Sequence, residues 1–266
     1  NKLYIYWINR AITEKEEELF DESFLGNWVE DGFSFLFFNK DAHNNIARLL
    51  KRNNDLMILD QYHMTYEQWQ GNLYDSIQID RFLIISSWHK RIQIEDGLIP
   101  IFLDPGVVFG NCLHPSTKHC LSAISWLLGR YQAKKVLDLG TGTGILAIAA
   151  AKLGAERIIA VDINPLCIKT ANKNVILNGL EDKIETICAR AEDTICQYKD
   201  VDLVVANLSY EVILKLINLT DFLDIDKAIL SGMLRSQWAD VKDHLIKNGY
   251  DIAREWDHEM TWHTAM

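Results

Sequence analysis

The segment that begins at Ser116 alternates apolar, strand-like runs with helix-length stretches, and this alternation constrains the fold most. Strands separated by helices of ten or more residues are typical of parallel βαβ units, in which the helices cover the sheet. We expect strands at 136–139, 157–161, 183–188, 202–206 and 228–231, and helices at 117–128, 144–153, 165–178, 211–219 and 236–247. The stretches 250–256 and 260–264 have no helix between them and predict an antiparallel hairpin at the sheet edge.

The first sixty residues follow a different order of elements. The capping-box sequence Thr13-Glu14-Lys15-Glu16 opens a helix that we expect to reach about Leu25, and the dipeptide Asp31-Gly32 favours a tight hairpin turn. The other expected elements are strands at 3–8, 27–30, 33–38 and 56–59 and a helix at 42–51. This β-α-β-β-α-β order is that of the split βαβ, or ferredoxin-like, unit.

These patterns divide the chain into three parts. We expect a small ferredoxin-like α+β domain over 1–60, a linker with a short helix over 61–75, and a larger α/β domain over 76–266. Short strands near 77–79, 82–86 and 99–103 open the larger domain.

Composition and charge exclude several classes of protein. The 266 residues are 48% hydrophobic, which is enough for a core. No window approaches the roughly 18 uninterrupted apolar residues of a membrane span. The five cysteines include no Cys-x-x-Cys pair, and a net charge of −10 argues against binding a phosphate backbone while suiting a basic protein partner. We expect a soluble cytoplasmic protein with reduced thiols that binds neither membrane nor nucleic acid directly.

A glycine-rich loop follows the first strand of the segment in which strands alternate with helices. The strand at 136–139 runs directly into Gly140-Thr141-Gly142-Thr143-Gly144 and then into a helix. Glycines let a ligand approach the backbone, and a helix N-terminus favours an anion. Asp162, twenty residues after Gly142, ends the next strand, where it is placed to accept hydrogen bonds from ribose hydroxyls or to cap the following helix. The pattern predicts a ligand with a ribose and a carboxylate or phosphate.

Two ligands fit that description. The run from Gly142 to Ala147 satisfies the G-x-G-x-x-G/A pattern of nicotinamide dinucleotide sites. The other ligand is S-adenosylmethionine, whose methionine carboxylate would replace the pyrophosphate. Asp138, two residues before Gly140, favours S-adenosylmethionine, because a carboxylate would repel a pyrophosphate and attract the methionine ammonium.

The residues around this loop resemble a known family. The run DLGTGTGILAIAAAKLGA followed by VDINP resembles the class I S-adenosylmethionine-dependent methyltransferases. With LDPGVVFGNCLHPST before it and VVANL after it, the chain resembles the bacterial methyltransferases of ribosomal protein L11, the PrmA family. The resemblance covers nearly the whole chain.

The resemblance carries expectations about fold and function. It implies a Rossmann-like catalytic domain with a mostly parallel sheet, joined by a linker to a ferredoxin-like domain that recognises the substrate. It also implies S-adenosylmethionine as cofactor, and a lysine or N-terminal amine of ribosomal protein L11, or of another basic protein, as methyl acceptor. We expect a monomer. The expected cofactor-binding residues are Thr117, Asp138, Gly140, Thr141, Gly142, Gly144, Asp162, Ile163, Glu192 and Asn207.

Two stretches depart from the family pattern. The family usually has Gly-Thr-Gly-Thr-His-Pro-Thr-Thr where this chain has Gly110-Asn111-Cys112-Leu113-His114-Pro115-Ser116-Thr117. The family's Asn-Ile-Leu-Ala is here Asn207-Leu208-Ser209-Tyr210, closer to the Asn-Pro-Pro-Tyr of enzymes that methylate amide or exocyclic nitrogens. The departures leave two alternatives open: a methyltransferase with another protein or small-molecule nitrogen as acceptor, and an inactive relative that only binds the cofactor.

Asn207 is the expected catalytic residue, because it ends a buried strand where open α/β sheets bind ligands. Methyl transfer depends mainly on aiming the lone pair of the acceptor, and a carboxamide oxygen can do this without ionising. Tyr210 or the Leu208 carbonyl would line the approach of the acceptor. The alternative is that Asn207 caps the following helix. A lysine would also have to lose a proton, and the sequence identifies no dedicated base.

Other polar residues have simpler roles. Cys112, His114, His119 and Cys120 are possible zinc ligands, but their spacing matches no zinc site, so we expect no metal. His114 is better suited to shaping the loop on the cofactor side. Glu192 and Asp193 follow the third parallel strand, where class I enzymes often place an acid against the adenine amino group; a solvated loop is the alternative.

Overall fold

The computed structural model describes residues 2–71, 74–89 and 92–266. The chain divides into two compact units, residues 1–73 and residues 74–266. In the described part of the chain, no helix is both long and apolar enough to cross a membrane.

The smaller unit is built on one four-stranded antiparallel sheet. Its elements are β1 (Lys2–Ile8), α1 (Glu14–Glu17), β2 (Phe24–Glu30), β3 (Phe33–Phe38), α2 (His43–Arg52), β4 (Ile58–Thr65) and α3 (Tyr66–Gln70). The strands lie in the order β2-β3-β1-β4, which is the order of a split βαβ unit. Ile46 and Leu49 of α2 pack on Ile8 and Phe38 in the core of this unit.

The expected helix up to Leu25 is wrong, because α1 contains only Glu14–Glu17. The predicted capping box does form between Thr13 and Glu16. The helix then stops because Phe24 pairs with Phe38 at the start of β2, which requires an extended chain. The expectation of a linker over 61–75 also differs from the structure, because β4 pairs with β1 as far as Thr65.

The larger unit contains the predicted alternation of strands with helices. Its elements are β5 (Ser76–Ile79), β6 (Phe82–Ser86), β7 (Ile99–Leu103), α4 (Pro115–Leu128), β8 (Lys135–Leu139), α5 (Ile145–Lys152), β9 (Arg157–Asp162), α6 (Pro165–Leu177), β10 (Ile184–Cys188), α7 (Ala191–Gln197), β11 (Leu203–Asn207), α8 (Tyr210–Ile217), α9 (Thr220–Leu223), β12 (Ala228–Leu234), α10 (Arg235–Lys247), β13 (Glu255–His258) and β14 (Trp262–Ala265). The main sheet has the order β10-β9-β8-β11-β12-β14-β13, and β5, β6 and β7 form a separate sheet. The predicted parallel sheet with an antiparallel hairpin at its edge is confirmed.

The central strands of the main sheet are buried on both faces. Apolar residues of α4, α5 and α6 form a core on one face, and those of α7, α8 and α10 form a core on the other. Residues of β8 alternate between the two cores, with Val136 in the first and Leu137 and Leu139 in the second. By the same alternation the fully buried Asp138 lies on the side of Val136, within an apolar face.

Asn174 of α6 joins the segment after β7 to the segment before α5. Its Oδ1 accepts from Asp104 N at 2.8 Å, and its Nδ2 donates to Asp104 O at 2.9 Å and to Thr143 O at 2.8 Å. All three bonds are made by a side chain with no exposed surface. Asn174 therefore holds the two loops that border the carboxyl ends of β8 and β9.

We expect Asn174→Ala to lower the free energy of unfolding by about 3 kcal/mol, because it leaves buried backbone groups without partners. Urea unfolding measures this loss. Asn172→Ala, on the exposed face of the same helix, is the matched control and should change stability by less than about 0.5 kcal/mol. Equal losses in the two variants would contradict the role of Asn174.

Candidate active site

The site lies where the order of the parallel strands reverses. Strand β8 pairs with β9 on one side and with β11 on the other, and all three run in the same direction. Their carboxyl ends therefore meet at one edge, and the connections from β8 and β11 leave in opposite directions to open a crevice. This edge brings together the glycine loop after β8, Asp162 at the end of β9 and Asn207 at the end of β11.

Backbone bonds hold the glycine loop against β9. The amides of Gly140 and Thr141 both donate to Val161 O at 2.8 Å, and Gly144 N donates to Thr141 O at 2.8 Å. Gly144 is the N-cap of α5 and offers no side chain, so the first turn of that helix can present its amides to an anion. The loop therefore has the geometry to hold a carboxylate or a phosphate.

Asp162 joins the glycine loop to the start of α6. Its Oδ2 accepts from Gly142 N at 3.0 Å and its Oδ1 accepts from Asn164 N at 2.9 Å. The N-cap of α6 is Asn164, whose side chain accepts from Leu166 N, so the alternative that Asp162 caps this helix is wrong. Burial raises the pKa of Asp162. The neighbouring Ile163 offers an apolar surface that is 64% exposed.

Asp138 is a buried carboxylate with incomplete hydrogen bonding. Its Oδ2 accepts from Thr141 Oγ1 at 2.6 Å. The Ala147 amide is near the carboxylate, yet Oδ1 has no partner of normal hydrogen-bond geometry among the described residues. Burial raises the pKa of Asp138 from the 3.8 of a free aspartate to about 7. A cationic donor at this position would satisfy Oδ1 and favour the charged carboxylate.

The side-chain carboxamide of Asn207 forms no hydrogen bond with a described residue. Its backbone is fixed in register with Ser231 of β12. The N-cap of α8 is Ser209, so the alternative that Asn207 caps this helix is wrong. Within the described residues, the next carbonyl, of Leu208, accepts no hydrogen bond either. The Tyr210 hydroxyl donates to Asp240 Oδ2 of α10 at 3.2 Å.

The loop before α4 is bonded to the glycine loop. Thr143 Oγ1 donates to Gly110 O at 2.9 Å, and Tyr74 donates its hydroxyl to Asn111 O at 2.6 Å. Cys112 stands where the family pattern has a glycine and takes a positive φ of 66°, a conformation that is strained for a side chain with a Cβ. Phe109, which belongs to the LDPGVVFGNCLHPST run, is 52% exposed in this loop.

The remaining expected residues lie around this edge with different partners. His114 accepts from Ser116 N through Nδ1 and caps α4, and burial lowers its pKa. Thr117 has a fully buried hydroxyl with no partner in the described part of the chain. Glu192 lies in the first turn of α7, so the alternative of a solvated loop is wrong, and its Oε1 accepts from Arg190 at 3.0 Å. In the described residues, no cluster of three histidine, cysteine or acidic side chains suits a metal ion.

The buried Asp138 should make stability depend on pH. Because its folded-state pKa of about 7 exceeds the unfolded value of 3.8, folding favours the protonated form, and stability from this group is lost as pH rises from about 4 to about 7. We expect the unfolding free energy of the wild type, relative to Asp138→Asn, to fall by about 1.4 kcal/mol per pH unit in that window. Urea unfolding of both proteins at several pH values measures the difference. A difference that is constant between pH 4 and pH 7 would contradict the burial of a carboxylate.

Comparisons with known proteins match this chain to one family. The family model for ribosomal protein L11 methyltransferase (PrmA) matches residues 16–266. The ribosomal protein L11 methyltransferase of Syntrophomonas wolfei is 35% identical over 193 residues, which cover 70% of this chain and 61% of that protein. That of Anoxybacillus flavithermus is 32% identical over 238 residues, which cover 86% of this chain and 72% of that protein.

A solved structure extends the comparison to the fold. The crystal structure of the ribosomal protein L11 methylase from Lactobacillus delbrueckii subsp. bulgaricus superposes with a TM-score of 0.62 at 31% identity. The matched region covers 72% of this chain and 97% of the Lactobacillus chain. The family resemblance seen in the glycine loop and its flanking motifs is thereby confirmed, and the chain belongs to the PrmA family of ribosomal protein L11 methyltransferases.

Proposed function

We propose that the protein is an S-adenosylmethionine-dependent methyltransferase whose acceptor is an amine of ribosomal protein L11. The observation that carries the proposal is the pair of unengaged acceptors, the Asn207 carboxamide and the Leu208 carbonyl, at the end of β11 and beside the glycine loop. Family membership and the names of the relatives support the same activity.

The donors and acceptors of the site suit S-adenosylmethionine. Asp138 would attract the methionine ammonium, the loop amides would receive its carboxylate, Asp162 would accept from the ribose hydroxyls, and Ile163 would lie against the adenine. A dinucleotide pyrophosphate would instead meet the charge of Asp138. When bound, S-adenosylmethionine supplies a methyl group on a sulfonium sulfur, which a neutral amine takes by in-line displacement.

Asn207 and Leu208 would orient the amine. A neutral primary amine has two N–H groups and one lone pair. If Asn207 Oδ1 and Leu208 O each accept one N–H, the direction of the lone pair is determined, and positioning of this kind supplies most of the catalysis for such a transfer. Both acceptors are uncharged carbonyls, so they stabilise an ammonium less than a carboxylate would.

The acceptor must lose a proton before it attacks. A free lysine has a pKa of about 10.4, and burial disfavours its charged form. His114 already uses Nδ1 to accept from Ser116 N, so this atom is not available as a base. We propose that desolvation in the crevice delivers the neutral amine.

The target protein would be held by the smaller unit, residues 1–73. The net charge of −10 suits a basic target such as a ribosomal protein. The Tyr210 hydroxyl bond to Asp240 weakens the alternative of an amide or exocyclic nitrogen as acceptor, because that tyrosine is not directed to the acceptors of β11. The bonded loop at 110–111 weakens the alternative of an inactive relative.

We expect Asn207→Ala to lower kcat for methyl transfer to ribosomal protein L11 by about 100-fold, because the amine loses an orienting acceptor. Transfer of labelled methyl groups from S-adenosylmethionine measures this loss, and calorimetry with S-adenosylhomocysteine measures cofactor affinity, which should stay within about twofold if Asn207 acts chiefly on the acceptor.

The control is Ser209→Ala, two residues further on, whose exposed side chain makes no capping bond. It should keep kcat within about twofold of the wild type. An Asn207→Ala variant as active as this control would contradict the orienting role. A wild type that binds S-adenosylhomocysteine but labels no ribosomal protein L11 would contradict the proposed acceptor.

A further inference from the structure

The residue after Asn207 is packed between two glycines. Leu208 donates its amide to Ser231 O at 3.1 Å. Its side chain covers Gly140, where an added Cβ would lie 2.2 Å from Leu208 Cδ2. Its backbone covers Gly232, where an added Cβ would lie 2.3 Å from Leu208 O and 3.0 Å from Leu208 C. An added Cβ at position 232 therefore meets the Leu208 peptide group, and the backbone must shift to make room.

Gly232 occupies an irregular position in β12. The pairing of β12 with β14 changes register between Ser231 and Met233, and Gly232 between them has a φ of +91°. A bulge at this point lets the backbone of β12 pass directly beneath the Leu208 peptide.

The Leu208 carbonyl is held in place by packing alone. On the N-terminal side of this carbonyl, Asn207 is fixed because it pairs with Ser231. The Leu208 amide is fixed because it donates to Ser231 O. The carbonyl itself receives no hydrogen bond from a described residue. A methyl group at position 232 would therefore turn this carbonyl while leaving Asn207 in register.

We propose that Gly232 is a positioning residue for the methyl transfer: the space that it leaves sets the direction of the Leu208 carbonyl, and hence the angle at which the two carbonyl acceptors hold the amine. This inference rests on the function proposed above. It makes Gly232 necessary for the rate of the chemical step and unnecessary for cofactor binding.

The rival explanation is that position 232 needs glycine only for its backbone conformation. The chain offers a matched control, because Gly249 has a φ of +90° and nothing within 4 Å of an added Cβ. Gly232→Ala and Gly249→Ala carry the same conformational strain, and only the first displaces Leu208. A purely conformational role predicts equal effects of the two variants on every measurement.

The experiment compares both variants with the wild type in kcat, in KM for ribosomal protein L11, in the Kd of S-adenosylhomocysteine and in the thermal midpoint. We expect Kd values within about twofold of the wild type for both variants, and a larger loss in thermal midpoint for Gly232→Ala, because only its Cβ meets a backbone oxygen. Gly232→Ala should lower kcat by about 100-fold, since a misplacement of about 1 Å has an effect of that size. Gly249→Ala should keep kcat within about twofold of the wild type. Equal kcat values for the two variants would overturn the proposal.

Two further measurements keep the proposal testable. If Gly232→Ala does not fold, Gly232→Asn and Gly249→Asn replace the pair, because asparagine tolerates positive φ better than alanine and carries the same Cβ. If the wild type transfers no methyl group to ribosomal protein L11, the proposed acceptor fails on its own. The carbonyl ¹³C chemical shift of Leu208 then decides the geometric claim: it should change in the Gly232 variant and not in the Gly249 variant, and an unchanged shift in both would overturn the proposal.

Discussion

The parallel pairing of β8 with β9 and with β11 is the interaction on which the site depends. It brings the glycine loop, Asp162 and Asn207 to one edge of the sheet, although they are separated by up to 67 positions from Gly140 to Asn207. The register between these strands determines which face each side chain of the site occupies. Ala206 pairs with Leu139 and Asn207 with Ser231, so a slip of one residue would turn the Asn207 side chain to the other face. Positions outside the crevice, such as Asn174 and Gly232, matter because they hold the loops that continue these strands.

Several energetically unfavourable features lie in and around the candidate site. Asp138 lies in the apolar face beneath α5 with one oxygen lacking a normal hydrogen bond, and Thr117 has a buried hydroxyl without a partner in the described residues. Cys112 adds a strained backbone in the adjoining loop. Buried polar groups without partners cost stability, and sites that bind and react are where proteins keep such groups. The strained loop and the incomplete hydrogen bonding both border the proposed cofactor position, while the cores on the two faces of the sheet are apolar.

The local patterns predict most of the larger unit, because parallel strands and their helices have strong periodic signals. Most observed bounds of these elements differ from the expected ones by one or two residues. The patterns fail where distant contacts decide. The helix after Thr13 is cut short because Phe24 pairs with Phe38, and β4 extends to Thr65 because β1 offers a partner there. Only the structure shows that Asn164 and Ser209, and not Asp162 and Asn207, are the N-caps of α6 and α8, and the ligand roles of Asp162 and Asn207 stay predictions. The packing of Leu208 on Gly232 joins separate strands and has no signal in the sequence.

The central claim is that the carboxyl ends of β8, β9 and β11 form one site in which the Asp138 carboxylate receives a cationic ligand group. The most direct test is calorimetric binding of S-adenosylhomocysteine to the wild type and to Asp138→Asn between pH 5.5 and 8. Because burial raises the pKa of Asp138 to about 7, the affinity of the wild type should be constant above that pH and fall about tenfold per unit below it, and the variant should lose this dependence. An affinity of the wild type that does not change across this range would contradict the account.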